Sequence, residues 1–582
     1  MHFVKKVPTT EQEKAAKAKE HAKRSQQFLH VRDRIFAKRD KGEYDDELLS
    51  LTQGVLEKNA DIYTFWNIRR TTIEQRIEAN DKIQKDSEAS DEEKTKSAQK
   101  IENLLAGELF LSYECIKSNP KSYSAWYQRA WVLQRQTSPD YAKELALCEK
   151  ALQMDCRNFH CWDHRRIVAR LANRTEQQEL EFSNRLIDEN FSNYSAWHYR
   201  YQKSIALQNI HRDAATGMTK IDDALIGSEL QKVKNAFYMD AEDQSAWTYT
   251  RWLLEVGSGK EFLRPESSSP IELISASFHG NNTTLVFSRA VTIPFLLTFV
   301  DTEDTTRWRA FSSTSPNPSS SRVWQYLSDS PLRVVTSQST DENVTWNELT
   351  DDRYVNKSRL ETIYDIVEAK EPEYIKELLE DCHQLIQLEP KNKWPLYMRT
   401  LVLLEYQPIR SHDEIISNLK NLAENLDSKR AELYKSLLSR QKLNHSIREQ
   451  FERLIGKEHD QLVVRYAELT SLEGVEFLAG LVGNADFQGN LLTEIHRIVL
   501  PNLHNLTISE NPIERLSPTP SLSHLTFLSI AGTQISEVSS VMPFFQTTPS
   551  LDRLIFCETP LVEKTEELRA QLPGVRLIPH WL

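Results

Sequence analysis

The sequence predicts a mainly α fold: a right-handed α-α helical-hairpin solenoid with an inserted β-sandwich and a C-terminal leucine-rich repeat module. Three observations support this. A Trp-centred motif recurs five times between residues 54 and 255, strand-like segments then replace the helical periodicity, and leucines recur at regular spacing near the C-terminus. Fixed periods of this kind indicate structural units that stack on their neighbours. The expected regions are helical repeats at 1–263, the sandwich at 264–351, resumed helices at 352–455 and leucine-rich repeats at 456–582.

Composition supports a helical intracellular protein. Only 15 of the 582 residues are glycine, which favours long helices over the glycine-rich turns of nucleotide-binding α/β enzymes. The net charge of −12 argues against nucleic acid as the main partner, because an acidic chain repels phosphodiester backbones. The six cysteines include no CxxC pair, which predicts a protein without disulfides. No apolar stretch approaches the roughly 20 residues of a membrane span, and the N-terminus has no secretory signal. Together these features predict a cytoplasmic protein.

Start and stop signals define the first helices. Thr10 and Glu13 form a T-x-x-E capping box that opens a charged helix running to about residue 40, and Gly42 is expected to end it. A second helix is expected at about 45–58, and a third begins soon afterwards. The almost wholly polar stretch 80–100 is interpreted as a solvated loop or frayed helix ends, because it has too little apolar surface to order itself strongly.

The helical repeat is defined by tryptophan. Most copies have an aromatic residue three positions before the tryptophan and an arginine three positions after it. Residues at i and i+3 share a helix face, so tryptophan and arginine are expected to lie on one side of the second helix of each hairpin. Burying an indole removes about 200 Å² from water, so the tryptophans are expected to stabilise the stack. They are Trp66, Trp126, Trp162, Trp197 and Trp247.

The arginines and a Cys/His cluster are interpreted as structural. The repeat arginines are expected to pair with carboxylates between helices rather than to form a phosphate-binding row. Cys156, His160, Cys161 and His164 lie close together, a spacing that resembles a zinc site. However, the glutamate of an HExxH motif is absent, and these residues occupy repeat positions, so packing already explains them.

A β-rich insertion interrupts the helical repeats. Serine, threonine, asparagine and proline become frequent, and Trp308 and Trp324 are expected in the core of a small β-sandwich. A weaker helical copy around Trp394, within residues 378–405, indicates that the solenoid resumes after the insertion. Strands of the insertion are expected at 271–278, 283–287 and 294–300.

The C-terminal repeat follows the leucine-rich template L-x-x-L-x-L-x-x-N-x-L. Copies begin at Leu503, Leu525 and Leu551, and a poorer copy is expected to end at Leu472. Only the first of these three has the ladder-forming asparagine, Asn511. The sequence therefore predicts a short array that serves as a docking surface.

The helical repeats resemble those of protein prenyltransferase α subunits. The similarity covers about residues 54–255 and rests on motifs such as Asn-Phe-His-Cys-Trp-Asp-His-Arg-Arg and FSNYSAWHYR at 191–200. Within this family, the α subunits of the enzyme that geranylgeranylates Rab GTPases are more similar still. Those subunits carry an immunoglobulin-like insertion and a terminal leucine-rich repeat module, which matches the organisation expected here.

The resemblance implies a type II protein geranylgeranyltransferase that works as a heterodimer. This chain would be the subunit without zinc, and it would wrap a β subunit that holds the zinc ion and the lipid pocket. Zinc bound by the β subunit would lower the thiol pKa of a C-terminal Rab cysteine. The geranylgeranyl group would pass from geranylgeranyl diphosphate to that sulfur, while an escort protein presents the Rab GTPase.

The resemblance also implies site residues. A lysine of the second repeat, in a Pro-Lys-x-Tyr context, is expected to contact the diphosphate, and here it is Lys121. A charge-assisted hydrogen bond of this kind contributes roughly 1.5–3 kcal/mol. Tyr123 of the same motif is expected to bind substrate. His2 matches the position from which this type of α subunit supplies an autoinhibitory ligand to the zinc of the β subunit.

Two alternatives stay open on the sequence alone. One is the α subunit shared by farnesyltransferase and geranylgeranyltransferase I, although that subunit lacks the β insertion and the leucine-rich tail. The other is a non-enzymatic scaffold of helical and leucine-rich repeats. Co-purification of a zinc-binding β subunit would separate the scaffold from either enzyme. The sequence has no Walker loop, GxSxG or kinase-like motif, which weakens any stand-alone enzyme hypothesis.

Overall fold

The chain forms two compact units, residues 1–207 and 208–582. The expected helical region 1–263 is thus divided between them. None of the helices in the described part of the chain combines the length and apolar composition that a membrane span needs. The computed structural model describes residues 11–207, 223–258, 271–279, 281–311, 319–330, 332–334, 347–348, 353–456, 460–495 and 498–580.

The first unit consists, in its described residues, of a long helix followed by four helical hairpins. Consecutive helices pack on each other within each hairpin, and the second helices of the first three hairpins pack side by side. The hairpins are therefore stacked, as the Trp-centred repeat predicts. The helices are α1 (Glu11–Asp40), α2 (Asp46–Leu56), α3 (Tyr63–Lys85), α4 (Asp91–Ser118), α5 (Tyr123–Leu133), α6 (Tyr141–Met154), α7 (Phe159–Leu171), α8 (Glu176–Glu189) and α9 (Tyr194–Leu207).

The first helix boundaries agree with the prediction. The expected helices correspond to α1, α2 and α3. Gly42 follows the end of α1 with a φ of +75°, a left-handed conformation that glycine adopts without steric cost. Thr10 of the predicted capping box lies outside the described residues, so that box stays a prediction.

Of the two interpretations given for 80–100, the loop is wrong, and the ends of two helices agree better with the structure. Only residues 86–90 lie outside helices, because α3 continues to Lys85 and α4 begins at Asp91. A reciprocal capping box starts α4: the backbone N–H of Glu93 donates to Ser90 Oγ at 3.2 Å, and the backbone N–H of Ser90 donates to Glu93 Oε2 at 3.0 Å. Local capping and helix propensity outweigh the low apolar content of this stretch.

The second unit contains the resumed helical repeat. α10 packs on α14 and α11 on α15, so two hairpins that are distant in sequence lie side by side. The prediction that the helical repeats resume around Trp394 is confirmed. The helices are α10 (Asp223–Met239), α11 (Gln244–Ser258), α12 (Ile293–Leu296), α13 (Lys357–Ile363), α14 (Glu373–Leu388), α15 (Lys393–Tyr406), α16 (His412–Asn421), α17 (Ala431–Ile455), α18 (Met542–Phe545) and α19 (Thr565–Gln571).

An antiparallel sheet with the order β3-β4-β2-β1-β7 lies between these two hairpins in sequence, and β5 pairs with β6 beside it. Trp308 and Trp324 are buried in its core with Phe287, Phe299 and Tyr326, which confirms their predicted role. The strands are β1 (Leu273–His279), β2 (Asn282–Thr292), β3 (Trp308–Phe311), β4 (Ser320–Leu327), β5 (Arg333–Val334), β6 (Asn347–Glu348) and β7 (Arg353–Val355).

Two of the three strands predicted in the insertion are confirmed, namely 271–278 and 283–287, which correspond to β1 and β2. The third, 294–300, is wrong. The chain instead forms the short helix α12 and a 3₁₀ turn at Leu297–Phe299. Pro294 lies in the first turn of α12, where its fixed φ and missing N–H suit a helix start and disfavour a paired strand.

A parallel sheet of six short strands, in the order β13-β12-β11-β10-β9-β8, forms the C-terminal part. The leucines that open the three predicted copies are 0–7% exposed, so they belong to the buried core of this region. β8 lies in the poorer copy expected to end at Leu472, and β9 and β13 make the array longer than predicted. The strands are β8 (Gln461–Val463), β9 (Asn484–Asp486), β10 (Asn505–Thr507), β11 (Phe527–Ser529), β12 (Arg553–Ile555) and β13 (Arg576–Ile578).

A second ladder asparagine, Asn490, lies outside the three predicted copies. Asn511 Nδ2 donates to the carbonyl oxygens of Phe487 and Ile508, at 2.9 and 3.0 Å. Asn490, one coil earlier, donates to the carbonyl oxygens of Val464 and Phe487, at 2.8 and 2.9 Å. The copy that contains Asn490 has Ala485 and Phe487 at leucine positions, so it departs from the template.

The antiparallel and parallel sheets share a core. Ile274, Val286 and Val323 from the antiparallel sheet belong to the same buried cluster as the leucines of the parallel sheet. Thr284 Oγ1 donates to Asn502 Oδ1 at 2.9 Å across this contact. Both modules are therefore fixed to each other within the second unit.

Candidate functional site

Each tryptophan of the helical repeat closes the turn that precedes its helix. In all five predicted copies the indole N–H donates to the backbone carbonyl six residues earlier, at 2.8–2.9 Å. The indoles are only 0–4% exposed. A buried indole with a satisfied N–H both fills the core and fixes the turn. The acceptors are the carbonyl oxygens of Ala60, Pro120, Cys156, Phe191 and Ala241.

A buried glutamate joins the two helices of a hairpin. In four copies it accepts a hydrogen bond from the side chain two positions after the tryptophan, at 2.6–3.0 Å. Each donor lies twenty residues after its glutamate, but the donors differ in residue type. The glutamates are almost fully buried, so each is a charge that depends on fixed partners. The pairs are Glu108–Gln128, Glu144–His164, Glu179–Tyr199 and Glu229–Tyr249.

Arginines complete these buried networks. Burial alone would raise the pKa of Glu144, but hydrogen bonds from His164 and Arg129 lower it to about 2. The predicted structural role of the repeat arginines is confirmed where such pairs form. They are Arg69–Glu108 at 3.1 Å, Arg129–Glu144 at 2.5 Å, Arg165–Glu179 at 3.0 Å and, in the resumed repeat, Arg399–Glu414 at 2.6 Å.

The Cys/His cluster of the third repeat is explained by packing, as predicted. His164 Nε2 donates to Glu144 Oε1 at 2.7 Å. Cys161 is buried, and its thiol donates to the carbonyl oxygen of Cys148 at 3.4 Å. The ring of His160 lies edge-on to Tyr123, with 4.2 Å between centroids. In the described part of the chain, no group of three or more His, Cys, Asp or Glu side chains is arranged to hold a metal ion.

Lys121 lies between α4 and α5 in a turn of residues 119–122, which we call the lysine turn. The carbonyl oxygen of Pro120 accepts two hydrogen bonds, from Trp126 Nε1 at 2.8 Å and from Asn158 Nδ2 at 3.0 Å. The backbone N–H of Lys121 donates to Asn119 Oδ1 at 3.3 Å. Its side chain is exposed, so a hydrogen-bonded turn presents this cation at the surface. His2 lies outside the described residues.

Exposed aromatic side chains occupy the same position in the four hairpins of the first unit, and we call this set the aromatic edge. Each is the first residue of the second helix of a hairpin, and each is 38–69% exposed. Burial lowers the pKa of His160. The negative charge of Asp163 raises this pKa, and the positive charge of Lys121 lowers it. Tyr123, two residues after Lys121, also contacts Phe159, with 5.9 Å between the ring centroids. The aromatic edge comprises Tyr63, Tyr123, Phe159 and Tyr194.

Comparison with known proteins identifies the repeat. Residues 105–136, 141–171, 176–202 and 226–256 match the family described as protein prenyltransferase alpha subunit repeat. The Homo sapiens protein named geranylgeranyl transferase type-2 subunit alpha is 31% identical over 598 residues, covering 99% of each chain. This chain belongs to the geranylgeranyl transferase type-2 α subunit family. The Bos taurus protein of that name is 30% identical over 607 residues, 99% of this chain and 100% of its own.

The geranylgeranyl transferase type-2 α subunit family also has shorter members. The Dictyostelium discoideum subunit of that name is 33% identical over 256 residues, which is 44% of this chain but 75% of its own length. Less than half of this chain is therefore shared with that relative, whereas the mammalian subunits match it from end to end.

The family match leaves out two copies of the helical repeat, the one around Trp66 and the resumed one around Trp394. The matched segments contain four of the five tryptophans, and the copy around Trp66 lies outside them. Trp66 nevertheless donates to the carbonyl oxygen of Ala60 at 2.8 Å, and Arg69 pairs with Glu108. The shared hydrogen-bond geometry makes this segment a fifth copy.

Sequence reasoning missed Asn158 as a residue of the candidate site. Its side-chain oxygen caps α7 by accepting from the backbone N–H of His160 at 3.1 Å, while its Nδ2 donates to Pro120. It thereby ties the lysine turn to the next hairpin. The available signal was its position directly before α7, where asparagine is a favoured cap. Nothing in the sequence indicates the second bond.

Proposed function

We propose that this chain is the subunit without zinc of a cytoplasmic, heterodimeric type II protein geranylgeranyltransferase. Its partner is a β subunit that binds zinc and geranylgeranyl diphosphate. The heterodimer transfers the geranylgeranyl group to C-terminal cysteines of Rab GTPases presented by an escort protein. The observation that carries this proposal is similarity over the whole chain to mammalian subunits named for this enzyme.

The lysine turn is the proposed catalytic contribution of this chain. When the isoprenoid leaves its diphosphate, negative charge grows on the leaving group, and a cation placed there lowers the barrier. Zinc on the β subunit would lower the thiol pKa of the Rab cysteine, so that this sulfur would react as a thiolate at neutral pH. Lys121 donates an N–H from its ammonium group to a diphosphate oxygen, and the start of α5 adds the positive end of a helix dipole. The bonds from Trp126 and Asn158 support this role, since they hold the backbone of the turn in place.

The aromatic edge is the proposed contact surface for the β subunit and its lipid. Large apolar side chains that stay exposed in a row commonly mark an interaction site. Tyr123 combines such exposure, 69%, with a position two residues after Lys121. We therefore assign it to substrate binding. Tyr123→Ala is expected to raise the KM for geranylgeranyl diphosphate more than it lowers kcat, and an unchanged KM would contradict the assignment.

Lys121→Ala is expected to lower the single-turnover rate of transfer about 10–100-fold, which corresponds to the loss of one charge-assisted hydrogen bond in the transition state. Lys117→Ala is the matched control, because Lys117 is an exposed lysine of the preceding helix that pairs only loosely with Glu114, at 3.8 Å. The control is expected to react at the wild-type rate. Equal rates for both variants would rule out the proposed role of Lys121.

His2 is the proposed autoinhibitory ligand of the zinc on the β subunit. The proposal rests on the resemblance alone, since His2 lies outside the described residues. X-ray absorption at the zinc edge of the resting heterodimer is expected to show one nitrogen ligand fewer in His2→Ala than in the wild type. An identical zinc spectrum in the two proteins would reject the proposal.

The β regions are proposed to be an immunoglobulin-like sandwich and a leucine-rich repeat module, inserted in and appended to one right-handed helical solenoid. The tryptophans in the core of the antiparallel sheet and the asparagine ladder of the parallel sheet support these assignments. The boundaries follow the sequence prediction, except that the sandwich extends to Val355, because β7 pairs with β1. Limited proteolysis tests them, and early cleavage inside either sheet would contradict them.

The substrate test separates this function from its alternatives. Co-expression with a candidate type II β subunit is expected to yield a heterodimer that modifies a Rab–escort complex and leaves a CaaX peptide unmodified. Preference for the CaaX peptide would instead identify a subunit of farnesyltransferase or geranylgeranyltransferase I. A chain that recruits no zinc-binding partner would be a scaffold.

A further inference from the structure

Two histidines from different modules meet at the junction of the antiparallel and parallel sheets. His279 is the last residue of β1, and His504 directly precedes β10. Their Nε2 atoms lie 2.9 Å apart, and their ring centroids are 4.9 Å apart. The two rings thus point ring nitrogens at each other rather than stacking.

The tautomer of His504 is set by its other nitrogen. His504 Nδ1 lies 3.3 Å from the backbone carbonyl oxygen of His524. A carbonyl oxygen only accepts hydrogen bonds, so Nδ1 carries the proton. In a neutral imidazole, Nε2 of His504 is then unprotonated, and its lone pair is directed at His279. This is the arrangement of a metal-binding imidazole, whose second N–H is commonly held by a carbonyl or carboxylate.

The spacing of the two nitrogens suits a shared cation. Zinc–nitrogen bonds to histidine are about 2.0–2.1 Å long. Two histidine nitrogens on a tetrahedral zinc ion lie about 3.3 Å apart, so the two rings need to separate by only about 0.4 Å from their 2.9 Å spacing to bind one such ion. Imidazole is a preferred ligand of zinc, copper and nickel, and a poor one for magnesium or calcium. The chemistry therefore selects a divalent transition metal.

The surrounding contacts hold both ligands in place before any ion binds. Asn502 Nδ2 donates to Ser277 Oγ at 3.2 Å, close to both histidines in sequence. Thr284 and Gln325 of the antiparallel sheet both donate to Asn502 Oδ1. A site whose backbone is fixed by other bonds loses little entropy on binding a metal.

We propose that His279 and His504 form a two-imidazole site for a divalent transition metal ion, with zinc as its physiological occupant, which clamps the antiparallel sheet to the parallel sheet. Water molecules complete the coordination shell, because the protein supplies two ligands here. The site is separate from the lysine turn and does not depend on the proposed transferase function.

The test is zinc titration of the purified heterodimer, with its own zinc loaded first, by isothermal calorimetry. The wild type is expected to bind one further zinc ion, and His279→Gln and His504→Gln are each expected to weaken that binding about 10-fold or more. His445→Gln is the matched control. His445 also contacts a histidine, His412, but those rings stack at 4.1 Å and 21°, so their nitrogens do not converge.

A second measurement separates metal binding from a general structural effect. Zinc is expected to raise the melting temperature of the wild type and of His445→Gln, but not of His279→Gln or His504→Gln. Without zinc, all four proteins are expected to melt within a few degrees of one another. The proposal is overturned if the wild type binds no further zinc, or if either glutamine variant at the site binds it as tightly as the wild type.

Discussion

Glu144→Gln tests the buried networks that hold the repeats together. Glu144 is 3% exposed and accepts hydrogen bonds from Arg129 at 2.5 and 2.7 Å and from His164 at 2.7 Å. The glutamine keeps the shape but loses the charge, so the Arg129 guanidinium stays buried without its counter-ion. Removing one partner of a buried ion pair costs about 3–5 kcal/mol.

The pKa of Glu144 gives a second value for the stability that its charged form contributes. Its value falls from 4.5 to about 2 in the folded protein. A depression of this size corresponds to about 3 kcal/mol of stability, at about 1.4 kcal/mol for each pKa unit. Because the folded pKa is the lower one, this stability is present above about pH 4.5 and is lost as the pH falls towards 2. The variant is expected to lack that part of the pH dependence.

Thermal unfolding is the assay. In a unit of about 200 residues, each kcal/mol shifts the melting temperature by about 2–4 °C, so a fall of roughly 6–20 °C is expected for the transition of the first unit. Glu149→Gln is the matched control on the same helix, because Glu149 forms only a partly exposed ion pair with Arg185. Its effect should stay below about 1 kcal/mol. Equal, small shifts for both variants would refute the reasoning.

Two further predictions follow from single hydrogen bonds. Trp126→Phe keeps a buried ring but removes the hydrogen-bond donor to Pro120. We therefore expect the free energy of unfolding to fall by about 1–2 kcal/mol, and transfer to slow because the lysine turn is held less firmly. Unaltered melting and transfer would count against the indole contact. Asn511→Ala leaves carbonyl groups and the N–H of Leu492 without partners, so we expect about 2–3 kcal/mol of lost stability and faster hydrogen exchange in β9–β11. Asn505→Ala, at an exposed strand position, should change neither property.

The helical repeat was predictable because its tryptophans are constant in type and position. Because a helix has a regular period, residues at a fixed spacing lie on one face. The indole N–H donates to the carbonyl oxygen six residues earlier, and other side chains at that position do not make this bond. The partners of the buried glutamates escaped sequence analysis for the opposite reason. Their offset of twenty residues is constant, but Gln128, His164 and Tyr199 have no common chemistry beyond an N–H or O–H donor.

The wrong predictions have local causes. The 294–300 segment has the apolar composition of a strand, but Pro294 starts a helix where its N–H is not needed. The stretch 80–100 has few apolar residues, yet the Ser90 capping box is enough to begin α4. The coil with Asn490 was missed because alanine and phenylalanine replace leucine there. These two side chains fill the core in place of the leucines, but a template that only counts leucines does not detect them.

The candidate site was predictable only through resemblance. Composition and periodicity place Lys121 in a polar turn and give it no function. The structure adds the hydrogen-bonded backbone of the lysine turn, which depends on Asn158 from the following hairpin. A contact between hairpins of this kind is fixed by three-dimensional packing, so the sequence of one repeat does not encode it.

The most direct measurement is the rate of geranylgeranyl transfer to a Rab–escort complex by the β subunit with and without this chain. We expect the purified pair to transfer the lipid, the β subunit alone to be inactive, and Lys121→Ala to slow the pair without dissociating it. Full transfer by the β subunit alone, or a chain that stays monomeric when mixed with it, would contradict the proposed function.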